Sequence, residues 1–110
     1  MATYVPKRGD IIWLNFNPQA GHEQAGKRPA LVLSPAEYNR KTHLLIACPI
    51  TSKVKGYPFE VALTGKKIDG VVLSDQVKSL DWHVRKAAFA EKAASAVIEE
   101  VQTKLMLLIE

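Results

Sequence analysis

At 110 residues, with nearly half of them apolar, the chain is one domain with material for a single core, expected to span residues 1–110, and it is too hydrophobic for a disordered segment. No uninterrupted apolar run approaches the roughly 20 residues that cross a bilayer; MATYVPKRGD lacks a secretory apolar core, and the lone Cys48 cannot close an intramolecular disulfide, so a soluble protein of a reducing cytoplasm is expected. The net charge of +4 permits a polyanionic partner and is unevenly spread, because residues 1–55 hold eight Lys and Arg against three acids, whereas residues 56–110 hold seven against eight.

Residues 10–16 (DIIWLNF) and 30–34 (ALVLS) are short runs of Ile, Leu, Val and aromatics that predict strands. Between them runs a glycine-bracketed polar loop carrying His22, Glu23, Lys27 and Arg28, more functional groups than a connection needs. PAEYNR at 35–40 predicts a helical turn with proline at its start. A third strand follows at 43–51, bulged or at a sheet edge at Pro49, since proline cannot donate to a ladder. Phe59, Val61 and Leu63 alternate with Glu60 and Ala62 as a half-buried fourth strand, and GVVLSDQV at 70–77 predicts a fifth. From Ala94 the rhythm changes: Ala94, Ile98, Val101, Leu105 and Leu108 form one face of an amphipathic helix. The fold class is mainly β with helical additions: about five short strands closing into a small antiparallel barrel that leaves no exposed edge, plus a C-terminal helix.

One cysteine and three histidines show no zinc-site spacing, and the common phosphate-loop, dinucleotide and nucleophile-elbow motifs are absent, so neither metal nor cofactor is expected. What remains is acid, base and cation. Glu23 and Arg28 are complementary: a carboxylate can take a proton from a hydroxyl, and a guanidinium can hold a phosphate and the extra charge of a pentacoordinate transition state. RNA brings its own nucleophile, the 2′-OH, so such a pair could cut it by positioning and charge stabilisation. The same two residues could equally form a solvated surface pair worth about 0–1 kcal/mol. A second polar loop, TSKVKGYP at 51–58, offers Thr51, Ser52, Lys53, Lys55 and Tyr57, the cations, hydroxyls and ring of a single-strand groove. Trp13 and Trp82 read as core or interface, and His43, His83 and Cys48 as structural.

The order of GDIIWLNFNP at 9–18, GHEQAGKRPALVLSP at 21–35, CPITSKVKGYPFEV at 48–61 and GVVLSDQVKSLDW at 70–82 resembles the MazF/PemK family of toxin endoribonucleases. The resemblance implies a five-stranded SH3-like barrel acting as a homodimer that cleaves single-stranded RNA without metal, leaving 2′,3′-cyclic phosphate and 5′-OH ends. It implies Glu23 as general base, Arg28 as transition-state stabiliser and acid, and Thr51 as the hydroxyl on the scissile phosphate. Phe16, Lys55 and Gln76 fall in motifs that line the family's RNA channel, and His22 and Lys27 have at most an RNA-contacting role. It also implies a cognate antitoxin whose acidic C-terminal segment competes with RNA for the basic N-terminal half. A non-catalytic toxin on the same barrel, such as a gyrase poison, is the alternative; it would need neither Glu23 nor Arg28.

Overall fold

The structure, a computed structural model, describes residues 3–17 and 26–110. Its elements in chain order are β1 (Asp10–Asn15), β2 (Lys27–Val32), α1 (Ala36–Thr42), β3 (Leu44–Thr51), β4 (Glu60–Thr64), β5 (Asp69–Leu73), a 3-10 turn (Ser74–Gln76), β6 (Lys78–Asp81), β7 (Ala88–Lys92) and α2 (Ser95–Ile109). All strand pairings are antiparallel, in the order β4-β5-β3-β2-β1-β7, with β6 against β3.

Among the described residues seven strands replace the five expected from sequence. The segment read as one strand over 70–77 stops at Leu73; after the 3-10 turn the chain resumes as β6, and both pieces pair with β3. The other addition, β7, reads AFAEK, without β-branched residues, and forms because β1 offers it an edge. Nor is β3 an edge strand at Pro49. On one side it pairs with β2, and on the other with β6 through Ala47 and with β5 from Ile50, so Pro49 falls in the interval between two partners. Among the described residues no ladder joins β4 to β7, so the sheet curls into a half-barrel rather than closing on itself.

Two hydrophobic clusters replace the single expected core, because the central strands are buried on both faces. Ile11, Leu31, Leu33, Cys48 and Ile50 face one way, with Val61, Val72 and Val101 of α2. Ile12, Leu14, Ala30, Val32, Leu45 and Ala47 face the other, under Leu80 and Trp82. Strands covered on both sides lose the alternation of a half-buried strand, which is why DIIWLNF and LLIACPI read as continuous apolar runs. Trp82 is in the core as expected, its indole N–H donating to the Asn39 carbonyl at 2.9 Å.

The C-terminal helix covers the first cluster through Val97, Ile98, Val101 and Leu105. Leu108, expected on that buried face, is instead 49% exposed in a last turn that runs past the sheet. None of the described helices is long and apolar enough to cross a membrane.

Candidate functional site

The ladder between β2 and β3 begins at Ala30–Pro49 and runs inward to Val32–Ala47. Continued two residues outward, the same register sets Arg28 level with Thr51. No ladder is formed there: Pro29, which has no N–H, is the first residue beyond it. The parted strand ends open a groove of about 290 Å³ lined by Trp13, Lys27, Arg28, Pro29, Thr51 and Ser52, with Lys67, Ile68 and Asp69 as its far wall. Lys27 and Arg28 therefore sit on β2 rather than in the loop assigned to them from sequence, because β1 extends the strand through the pairs Asn15–Lys27 and Leu14–Arg28.

Thr51, at 6% exposure, ends β3. Its Oγ1 accepts the Lys53 N–H at 3.1 Å, turning the chain out of the sheet and leaving its own O–H to donate. Backbone holds it from the other side: Gly70 on β5, at φ +145°, lies so close that a Cβ there would be 2.2 Å from the Thr51 carbonyl oxygen. Glycine alone permits that approach. Among the described residues, three cations, Lys27, Arg28 and Lys67, line the groove against one carboxylate, Asp69, whose Oδ1 accepts the Gly65 N–H at 3.1 Å. A guanidinium and an ammonium beside a donating hydroxyl can hold a phosphodiester and stabilise charge developing on it.

The other residues singled out from sequence are placed less uniformly. His22 and Glu23 lie outside the described residues. Ser52 lines the groove, whereas Lys53 and Lys55 are exposed on the following loop. That loop is shaped by Glu60, a buried carboxylate that accepts the N–H groups of Lys55 at 3.0 Å and Gly56 at 2.9 Å. The alternating pattern around residue 60 had marked Glu60 only as a polar strand position. Tyr57 donates its hydroxyl to Asp75, and that bond, with some burial, pushes its pKa up to about 12. Gln76 ends the 3-10 turn with Oε1 buried and without a hydrogen-bond partner. Neither Tyr57 nor Gln76 reaches the groove of Arg28 and Thr51.

Phe16 is a correction. Expected along an RNA channel, it is 2% exposed and packed in the second cluster, so its ring offers no face to a base. Trp13, expected in core or interface, is outside the core: it is 36% exposed and lines the groove. The difference arises because β1 buries both faces over its first three residues and exposes Trp13 and Asn15 only toward its end. Lys67 and Asp69 gave no sequence signal; the β4–β5 hairpin brings them to the groove.

Together these features define a small antiparallel half-barrel with a cationic, hydroxyl-bearing groove where its central strands part. The chain belongs to the family of PemK-like, MazF-like toxins of type II toxin-antitoxin systems, which it matches over residues 7–109. It is 48% identical to the endoribonuclease toxin MazF of Escherichia coli (strain K12) over 109 residues, 99% of this chain and 98% of that one. Its fold is similar to the crystal structure of MazF (Form-I) from Deinococcus radiodurans, with a TM-score of 0.94 at 56% identity, covering 97% of this chain and 98% of that one. A chain of MazE-MazF (Form-II) from the same organism is similar at a TM-score of 0.86 and 49% identity, with 97% of each chain covered.

Proposed function

We propose that this protein is the endoribonuclease toxin of a toxin–antitoxin pair, cutting single-stranded RNA at a short sequence without a metal. The observation that carries the reading is the meeting of Arg28 and Thr51, from two different strands, in one cationic groove. Identity of 48% to a protein named as an endoribonuclease toxin supports the reaction class.

In the proposed reaction Glu23 takes the proton of the 2′-OH, and the 2′-oxygen attacks the adjacent phosphorus. As the new P–O2′ bond forms, the P–O5′ bond breaks, and the departing oxygen takes a proton from Arg28, the acid expected there, to become a 5′-OH; the proton on Glu23 then returns to Arg28 through solvent. The other product end is a 2′,3′-cyclic phosphate. Arg28 faces the negative charge that builds on the phosphoryl oxygens, and Thr51 donates its O–H to the same phosphate. Lys27 and Ser52 hold the adjoining backbone. Lys53, Lys55, Tyr57, Gln76 and His22 are the proposed contacts with the rest of the strand. Trp13 adds a ring on which a base can stack, a role we assign in place of Phe16.

The antitoxin partner is proposed to lay an acidic segment over the same cations, in keeping with the likeness to a chain of MazE-MazF. Self-association is proposed as well, since α2 and β3 leave Ile46, Met106, Leu107 and Ile109 exposed. The deciding experiment incubates the purified protein with a long unstructured RNA in excess EDTA, beside Arg28→Ala. Cuts at one short sequence that carry cyclic phosphate ends and vanish with Arg28 are the expected result. Intact RNA from folded protein would overturn the proposal.

A further inference from the structure

The far wall of the groove is the β4–β5 turn, residues 65–68, of sequence GKKI. Glu91 on the edge strand β7 reaches across to it. Its Oε1 accepts the Lys66 N–H at 2.9 Å, and its Oε2 accepts those of Lys67 and Ile68, each at 2.8 Å. The fit is tight, because a Cβ on Gly65 would lie 2.6 Å from Oε2 of Glu91. Three converging amides hold the ionised carboxylate and lower its pKa. Ile68 plugs into the first hydrophobic cluster, so the turn is fixed by its backbone and one apolar side chain, while Lys66 and Lys67 remain exposed. Of these two lysines only Lys67 lines the groove with Arg28 and Thr51.

The Lys67 ammonium adds a coulombic pull on this carboxylate, but the carboxylate's hydrogen bonds here go to backbone amides, so the exposed ammonium can still meet another anion. We infer that Lys67 is a phosphate contact of the RNA groove and that Glu91, by holding the β4–β5 turn, is the residue that positions it. The inference rests on the proposed function and adds to it a residue pair outside the motifs that carry the resemblance. Glu91 touches no substrate; it acts through the turn.

The test is steady-state cleavage of a labelled unstructured RNA oligonucleotide at several salt concentrations. It compares the unmodified protein with Lys67→Gln, Glu91→Ala and the double variant, using Lys66→Gln as the control on the same turn. Lys67→Gln should raise KM several-fold, leave kcat in place, and flatten the slope of log KM against log salt by about 0.7, the value for one phosphate contact on a single strand. Glu91→Ala should raise KM similarly, and the double variant should be no worse than Lys67→Gln alone, since both remove one interaction. Unchanged KM in Lys67→Gln would overturn the contact. Additive losses that fall on kcat would make Glu91 a purely structural clip and overturn its positioning role. If the unmodified protein leaves the RNA intact, the proposed function itself has failed, an outcome separate from both.

Discussion

Asn39 offers a sharp test of how the second face of the sheet is held. It is fully buried in α1, and its side chain makes three hydrogen bonds: Nδ2 donates to the Pro6 carbonyl at 2.7 Å and the Ser34 carbonyl at 3.1 Å, and Oδ1 accepts the Ser34 hydroxyl at 2.6 Å. These bonds tie the N-terminal segment, the end of β2 and α1 together beside Trp82. Asn39→Ala deletes all three and strands two carbonyls away from water. Each net bond is worth about 1 kcal/mol and each orphaned group costs about 1 kcal/mol or more, so the loss should be about 3–4 kcal/mol after the Ser34 hydroxyl, which still accepts the Ile46 N–H, finds another partner. For a domain of this size that is a drop in Tm of about 12–16 °C. Urea titration and thermal melts followed by circular dichroism would measure it. Asn39→Asp should lose at least as much, since it keeps the acceptor but turns an oxygen toward two carbonyls. A loss below about 1 kcal/mol in Asn39→Ala would refute the argument that these bonds are buried and specific.

Four further outcomes follow from the geometry. Trp13→Ala should weaken binding of an uncleavable, deoxy-substituted RNA by about 1–3 kcal/mol, the range for one stacked base, with only a small change in Tm; unchanged affinity would remove the ring from the groove. Gly70→Ala should lower both Tm and RNA cleavage, because the added methyl meets the Thr51 carbonyl; activity retained in a destabilised protein would separate the close approach from the site. Tyr57 holds its proton more tightly folded than unfolded, so its contribution to stability is complete below pH 10 and fades as pH rises toward 12; alkaline melts of Tyr57→Phe should lack that fade. Glu91 has the opposite sign. Its lowered pKa means a contribution complete above the ordinary carboxylate value and lost as pH falls through the folded one, and acid melts of Glu91→Gln should be correspondingly flatter.

Most of the architecture was legible where a residue's own chemistry decides it. Ile11 through Leu14, Leu44 through Thr51 and the helix from Ser95 carry apolar runs or spacing that allow few alternatives. The order of polar motifs then led to the family and to Arg28 and Thr51. What stayed hidden depends on partners that sequence does not name. β7 is a strand only because β1 has a free edge, and Lys27 and Arg28 are strand residues only because β1 continues past the end of the β2–β3 ladder. That Phe16 is buried and Trp13 is outside the core was not legible, because a strand buried on both faces over much of its length carries no clear period that says which aromatic is left outside.

The same ladder explains why the groove is where it is. β3 exchanges one partner for another around Pro49, and β2 parts from β3 at Pro29 while staying paired with β1, so donors are missing at the two places where these strands separate. Strand ends that part bring Arg28 and Thr51 to the groove wall without a loop having to carry them. A site made from the ends of packed strands holds its hydroxyl and its guanidinium in fixed relation before any ligand arrives, and on the proposed reading that pre-set geometry stands in for what a metal would otherwise supply. On that reading Glu23 would supply the base for a phosphate that Arg28 and Thr51 hold.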